Sequence, residues 1–186
     1  MSNGKNLVVV SGPSGCGKDT VVEELMRRNP EISLSVSCTS RNKRDYEVEG
    51  KHYYFISKEE FRKRVDAGMM LEYAEYSGNY YGTPRSEIEL KLEENKIVIL
   101  VIEVNGAKQV KALLPDSLLV FIVPPSIEEL EQRLKLRHTE SEAERSERLV
   151  IAAREIQSAA DYDLIIENDE VKSCAEKLEK AIFPER

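Results

Sequence analysis

Gly12-x-x-x-x-Gly17-Lys18 stands directly after the apolar run Leu7–Val10 and directly before residues at helical apolar spacing, Val21, Val22, Leu25 and Met26. That succession has a chemical use. Glycines let the backbone wrap tightly, so that successive N–H groups converge on phosphate oxygens. A helix N-terminus adds positive potential, and a lysine at its start reaches the β- and γ-phosphates of a nucleotide. Gly12, Pro13, Ser14, Gly15, Cys16, Gly17 and Lys18 are therefore candidate phosphate-binding residues. The plainer alternative is a Gly-rich turn with a surface lysine, and the strand before and helix after it argue against that.

The next positions leave more open. A Ser or Thr normally follows the Gly-Lys pair and offers a hydroxyl to Mg²⁺; here Asp19 follows, and then Thr20. Either residue suits a hard cation, while Asp19 also suits a helix dipole as a first-turn acid. Cys16, close to a helix N-terminus, is either an activated thiol or a small residue that fits the loop. Glu103 follows the apolar run Ile97–Ile102, and ligands of open α/β sheets sit at the C-terminal ends of strands. It is otherwise the first polar residue after a strand.

A second group of residues lies between Ile32 and Tyr81. Arg41 and Arg44 are three apart just after an expected strand, and two planar guanidinium forks can hold a phosphate dianion. Tyr53 and Tyr81 bring phenols that can donate to the same group. Glu72 is a lone acid inside Met70-Leu-Glu-Tyr-Ala. Taken singly, each has an ordinary reading as a solvated loop or a packing residue.

These groups need elements to hold them. Wholly apolar runs at Leu7–Val10, Ile97–Ile102, Leu118–Val123 and Leu164–Ile166 read as strands buried on both faces, which predicts a parallel sheet covered by helices. Ser57-x-x-Glu60, Ser126-x-x-Glu129 and Ser141-x-x-Glu144 fit the capping box at helix starts. Phe61/Val65, Leu130/Leu134 and Leu149/Ala153/Ile156 follow them at helical intervals. Val171, Cys174, Leu178 and Ile182 form the stripe of a last helix. Between Ile32 and Tyr81 the texture changes to alternating or aromatic strands at Ile32–Ser37, Tyr53–Ile56, Leu71–Tyr76 and Tyr80–Tyr81, broken by Gly50, Gly68 and Gly78. This predicts a small mixed lobe inserted in an α/β core.

Composition narrows the partners. The 186 residues carry 27 Lys+Arg against 34 Asp+Glu, a formal charge of −7, which disfavours nucleic-acid binding through a broad basic surface. No apolar run approaches the ~20 residues of a spanning helix, and Met1–Lys5 lacks a secretory pattern. The three cysteines, Cys16, Cys38 and Cys174, are far apart, and only His52 and His138 accompany them. That is neither a disulfide framework nor a zinc site. The expectation is a cytoplasmic protein whose metal, if used, arrives with its substrate.

Ser37-x-Thr-x-Arg41-x-x-Arg44, Gly50-Lys-His-Tyr53-Tyr-Phe, Leu71-Glu72 and Gly78-Asn-Tyr-Tyr81-Gly-Thr83 resemble guanylate kinase in order and spacing. The likeness continues through Gly106-Ala, Val123-Pro-Pro-Ser126, Arg133-Leu-x-x-Arg137, Arg148, Tyr162-Asp163 and Asn168-Asp169, nearly the whole chain. It implies a P-loop nucleoside monophosphate kinase with a parallel-sheet core (1–34, 84–125, 155–186), a GMP-binding lobe (35–83) and a helical lid (126–154). The implied reaction is ATP + GMP → ADP + GDP with Mg²⁺. By the same resemblance Arg41, Arg44, Tyr53 and Tyr81 hold the GMP phosphate. Glu72 reads guanine with Ser37 and Thr83, and Glu103 lies on the GMP side. Arg133 and Arg137 serve ATP, Arg137 and Arg148 with Lys18 stabilise the transferring phosphoryl group, and Asn168 lies near adenine.

Three positions depart from the family pattern. Val101-Ile-Glu103 replaces Asp-x-Asp, Leu136-Arg137-His138-Thr139 replaces Gly-Arg-Gly-Thr, and Lys43 replaces a proline. Gly-Lys-Asp also resembles ribose 1,5-bisphosphate phosphokinase, whose acceptor has no base to read. A non-catalytic guanylate-kinase-like binding module is the other alternative, opposed by the intact Gly17-Lys18.

Overall fold

The computed structural model describes residues 6–76, 78–94, 96–136 and 142–185. The chain divides into two compact units, Met1–Leu7 with Glu31–Ser117, and Val8–Pro30 with Leu118–Arg186.

The second unit is built on three parallel strands. β1 (Leu7–Ser11) pairs with β8 (Leu118–Val123), which pairs in turn with β9 (Leu164–Glu167). All of β1 and the middle of β8 are buried, as continuous apolar runs require. Helix α1 (Lys18–Arg28) buries Val21, Val22 and Leu25 and packs on α7 (Val171–Ile182), which buries Cys174, Ala175 and Leu178. Helices α5 (Ile127–Leu136) and α6 (Glu142–Gln157) pack together through Leu130, Leu134, Leu149 and Ala152.

The stripe of α6 corrects the expectation in one place. Ala152 is buried and Ala153 is exposed; steps of three and of four from Leu149 both stay on one broad helix face, and packing against Leu130 and Leu134 of α5 takes Ala152. Ser141, the expected cap of this helix, lies outside the described residues.

The first unit combines a parallel pair with a mixed sheet. β2 (Ile32–Leu34) pairs in parallel with β7 (Ile97–Val101). It is shorter than the expected Ile32–Ser37, because the Val36 N–H leaves the ladder and donates to Glu87 Oε1 at 3.1 Å. A four-stranded sheet follows the order β4-β3-β6-β5, from Tyr54–Phe55, Cys38–Thr39, Asn79–Pro84 and Met70–Tyr76. Its antiparallel pairs and one parallel pair make it the mixed lobe expected from the sequence. Cys38, Phe61 and Met70 form its core, with Phe61 stacked on Tyr80.

Around these strands run α2 (Lys58–Asp66), α3 (Arg85–Glu93) and α4 (Val104–Leu113); α4 packs on β5 and α3 on β7. Ser57 caps α2 by accepting from Glu60 N, and Ser126 accepts from Glu129 N at 3.1 Å. The Glu60 and Glu129 carboxylates bond Arg64 and Arg133 one turn on. Among the described residues no helix is long and apolar enough to cross a membrane.

Candidate active site

In the second unit, the backbone between β1 and α1 takes the shape that the glycines allow. Gly12, Gly15 and Gly17 all have positive φ. Gly12 has no room for a side chain, since a β-carbon there would lie 2.1 Å from the Ile122 carbonyl oxygen. Gly17 ends the loop at φ +92°, and a β-carbon would lie 2.5 Å from Asn168 Nδ2. Lys18 opens the helix and folds its ammonium over the loop, donating to the Gly12 and Pro13 carbonyls at 2.6 and 3.0 Å. Asp19 and Thr20 are exposed in the first turn.

Asn168 and Arg133 brace this loop from other elements. Asn168 follows the end of β9, and its buried amide donates to the Cys16 carbonyl at 2.7 Å. Arg133, on α5, donates through Nη2 to the Asn168 carbonyl at 3.0 Å and through Nη1 to the Cys16 carbonyl at 3.4 Å. Its Nε is held by Glu129 at 3.0 Å. Arg148, on α6, points Nη1 at Ser14 Oγ, 3.5 Å away. The loop thus gathers Lys18, Arg133, Arg148 and Asn168 within one unit, a set able to surround a polyphosphate. Arg137 lies outside the described residues.

Cys16 takes the less reactive of its two expected roles. Its side chain is fully buried under the loop, and burial raises its thiol pKa against the opposing pull of Lys18. A buried, protonated thiol is a packing residue and not an activated nucleophile.

In the first unit, Ser37, Thr83 and Glu72 form a hydrogen-bonded chain. Thr83 Oγ1 donates to Glu72 Oε1 at 2.7 Å and lies 3.3 Å from Ser37 Oγ. Glu72 is buried, as are Met70 and Leu71 before it, whereas a strand with one covered face alternates. A register shift between Met70 and Glu72 explains this. Bulges of this kind re-aim a side chain, and here the carboxylate turns inward. Burial pushes the Glu72 pKa up to about 7, with the Thr83 hydrogen bond opposing and the nearby Glu103 charge adding to the rise.

Glu103 lies just beyond β7 at the N-cap of α4. Burial raises its pKa as well, against the Gly106 amide. Among the described residues its Oε1 is buried without a hydrogen-bond partner. Two carboxylates therefore face this part of the unit with acceptor capacity to spare, a setting made for a ligand rich in N–H donors.

Arg41, Tyr53 and Tyr81 come together in the same unit. The Tyr53 and Tyr81 rings meet edge to face at 6.0 Å, and the Arg41 guanidinium lies 5.6 Å from the Tyr53 ring centre. Arg44 is exposed and donates to Tyr46 Oη at 2.9 Å. Two residues of this region carry roles that the sequence did not assign them, although Gly106 was among the motifs of the resemblance. Glu47, buried, binds Arg41 through both oxygens. Gly106 sits against the Glu72 carboxylate. Glu47 is one of three acids in Asp45-Tyr-Glu-Val-Glu49, with no local pattern to single it out; Gly106 lies inside a helix, where glycine is unusual enough to have been a signal.

The protein-family model described as guanylate kinase matches residues 4–185. The chain is 45% identical over 180 residues to the guanylate kinase of Desulfitobacterium hafniense (strain Y51), spanning 97% of this chain and 90% of that one. It is 47% identical over 180 residues to the guanylate kinase of Clostridioides difficile (strain 630), spanning 97% and 88%. Its fold matches the crystal structure of guanylate kinase from Anaplasma phagocytophilum with a TM-score of 0.79 at 33% identity, covering 100% of this chain and 87% of that one. A shikimate kinase from Bacteroides thetaiotaomicron shares the fold at a TM-score of 0.54 and 15% identity. With a braced phosphate loop, a Ser37–Thr83–Glu72 chain ending on a buried carboxylate and relatives alike along nearly their full lengths, the chain belongs to the guanylate kinase family.

Proposed function

We infer that this chain transfers the γ-phosphoryl group of ATP to GMP, giving ADP and GDP. The observation that carries the acceptor assignment is the buried Glu72 carboxylate, hydrogen-bonded to Thr83. Guanine presents N1–H and N2–H₂ as adjacent donors, which an ionised carboxylate accepts together. Adenine presents an acceptor at N1 and no 2-amino group. A site built on buried hydrogen bonds rejects an analogue that leaves them unpaired by about 10⁴-fold or more.

Residues 35–83 form the GMP-binding lobe in this reading and residues 126–154 the lid, on the remaining core. Arg41, Arg44, Tyr53 and Tyr81 bind the GMP phosphate, and Ser37, Glu72, Thr83 and Glu103 take the base side. The loop Gly12, Pro13, Ser14, Gly15, Cys16, Gly17 and Lys18 cradles the ATP phosphates through backbone N–H groups, with Arg133, Arg137 and Asn168 assisting. Lys18, Arg137 and Arg148 carry the catalytic charge. The acceptor phosphate is already ionised at neutral pH, so the chain need supply no general base. Its work is to orient two polyanions, exclude water and offset negative charge on the transferring group.

Kinases of this family use a divalent metal with ATP, and Mg²⁺ is our assignment. Asp19 and Thr20 offer hard oxygen donors exposed at the loop, a chemistry that suits Mg²⁺. When bound, the cation offsets charge on the ATP phosphates. Three buried free cysteines fit a reducing cytoplasm.

A coupled assay with GMP, AMP and ribose 1,5-bisphosphate as acceptors tests the reading. Turnover with GMP at least a thousandfold above the others is expected, since a base-reading site leaves its buried groups unpaired with either rival. Preference for the sugar bisphosphate would replace the assignment. Calorimetry of ATP binding, lost in Lys18→Ala, separates an enzyme from a binding module.

A further inference from the structure

Arg41 already holds an anion from its own chain. Glu47 Oε1 accepts from Arg41 Nη2 at 2.7 Å, and Glu47 Oε2 accepts from Arg41 Nη1 at 3.0 Å. Oε2 also accepts from the Arg44 backbone N–H at 2.7 Å. Nη1 donates a second time, to the Asn42 carbonyl at 2.7 Å. Of the five guanidinium N–H groups, these bonds use three, and Tyr81 is a further hydrogen-bond partner of the side chain. The rings of Tyr53 and Phe55 flank the group at 5.6 and 5.8 Å.

A carboxylate on a phosphate-binding arginine has two possible meanings. It is an occupant that the phosphate must displace, or it is a clamp that stays. Glu47 is 5% exposed, and its third hydrogen bond comes from backbone that stays in place when a side chain turns. Swinging it out would strip the Arg44 N–H of its partner and move a buried charge. Arg41 and Glu47 also reinforce each other's charged states. The hydrogen bond from Arg41 holds the Glu47 carboxyl down to about 2, and that to Glu47 raises Arg41.

We propose that Glu47 is a positioning residue of the GMP-phosphate site, locking the Arg41 guanidinium in one orientation and fixing the backbone from which Arg44 departs. The proposal rests on the reading of Arg41 as a GMP-phosphate ligand. Its physical content is preorganisation. A long side chain fixed in advance loses little rotamer freedom when the anion arrives, and its remaining N–H groups keep the geometry a phosphate needs.

The test compares GMP with guanosine, which has the base and sugar without the phosphate. Binding of each is measured by titration to wild type, Glu47→Gln, Glu47→Asp and Arg41→Ala, with steady-state KM for GMP and for ATP alongside. Glu47→Gln is expected to weaken GMP about tenfold or more, the scale of a misplaced binding group, while guanosine binding and the ATP KM stay within twofold. Glu47→Asp, which keeps the charge, should recover part of the loss.

Tighter GMP binding in Glu47→Gln would make Glu47 a competitor for Arg41 and overturn the proposal. Equal weakening of GMP and guanosine would reduce Glu47 to a support for the lobe and overturn it too. If Arg41→Ala weakens GMP and Glu47→Gln does not, the clamp alone is refuted. If Arg41→Ala leaves GMP affinity unaltered, the assignment of Arg41 itself falls, and the proposal with it. Should Glu47→Gln not fold, the ratio of GMP to guanosine affinity in Glu47→Asp decides, with an unaltered ratio counting against the clamp.

Discussion

A β-carbon on Gly106 would lie 2.4 Å from Glu72 Oε2 and 3.1 Å from its carboxyl carbon. The first turn of α4 therefore leaves open the volume that the Glu72 carboxylate fills. Gly106→Ala adds the methyl group that must displace it. In a helix that change favours the helix by about 1 kcal/mol, so its cost falls on the carboxylate. We expect the GMP KM to rise roughly 10- to 100-fold and the ATP KM to hold, measured in the coupled assay. An unaltered GMP KM would remove Glu72 from the base site.

Glu72 also gives GMP binding a pH dependence. Its pKa, raised from 4.5 to about 7, leaves the free enzyme partly protonated near neutrality, and only the ionised form accepts both guanine donors. GMP affinity should therefore rise between pH 6 and 8. In Glu72→Gln the rise should shrink to the part set by the GMP phosphate, whose second ionisation lies at about pH 6, and GMP affinity should fall about 10- to 100-fold, the scale of a charged hydrogen bond. Isothermal titration across that range checks both.

The same group sets a stability trend of opposite sign. Between about 4.5 and about 7 the folded chain retains a proton on Glu72 that the unfolded chain gives up, so Glu72 lowers stability as pH rises through this window. Below it both states are protonated and the effect is absent. The melting temperature of Glu72→Gln relative to wild type should climb from pH 4.5 to 7 and then level off.

Asn168→Ala removes the donor to the Cys16 carbonyl in a buried setting. The Cys16 carbonyl keeps only the longer 3.4 Å bond from Arg133, so the loss costs about 1 kcal/mol, readable as a shift in the urea midpoint, and loosens the loop that Arg133 also braces. ATP affinity should drop while GMP affinity holds. Equal loss of both nucleotides would contradict a local role.

Asp19→Ser restores the hydroxyl that usually follows Gly-Lys and deletes an exposed carboxylate. If Asp19 contributes charge at the metal, the Mg²⁺ needed for half-maximal rate should increase several-fold, and Mn²⁺ binding followed by its paramagnetic resonance should weaken alike. Unaltered metal dependence in both measurements assigns Asp19 to the helix dipole alone.

Much of this chain could be read from neighbouring residues. The apolar runs that became β1, β7, β8 and β9, the serines that cap α2 and α5, and the Gly12–Lys18 loop all depend on short-range backbone chemistry and periodicity, which nearby positions encode. Even the grouping of Ser37, Glu72 and Thr83 was legible, through likeness to a family. Other features depended on residues distant in the chain meeting in space. The register shift that turns Glu72 inward arises from its pairing with β6, and no alternation within Met70–Tyr76 announces it. The room beside its carboxylate comes from Gly106 on another element, Glu47 acquires meaning only once it faces Arg41, and Cys16 is quenched by what covers it. Local propensity follows from a side chain and its neighbours, whereas burial, clearance and charge partners are properties of the packed chain, and those tertiary structure alone decided.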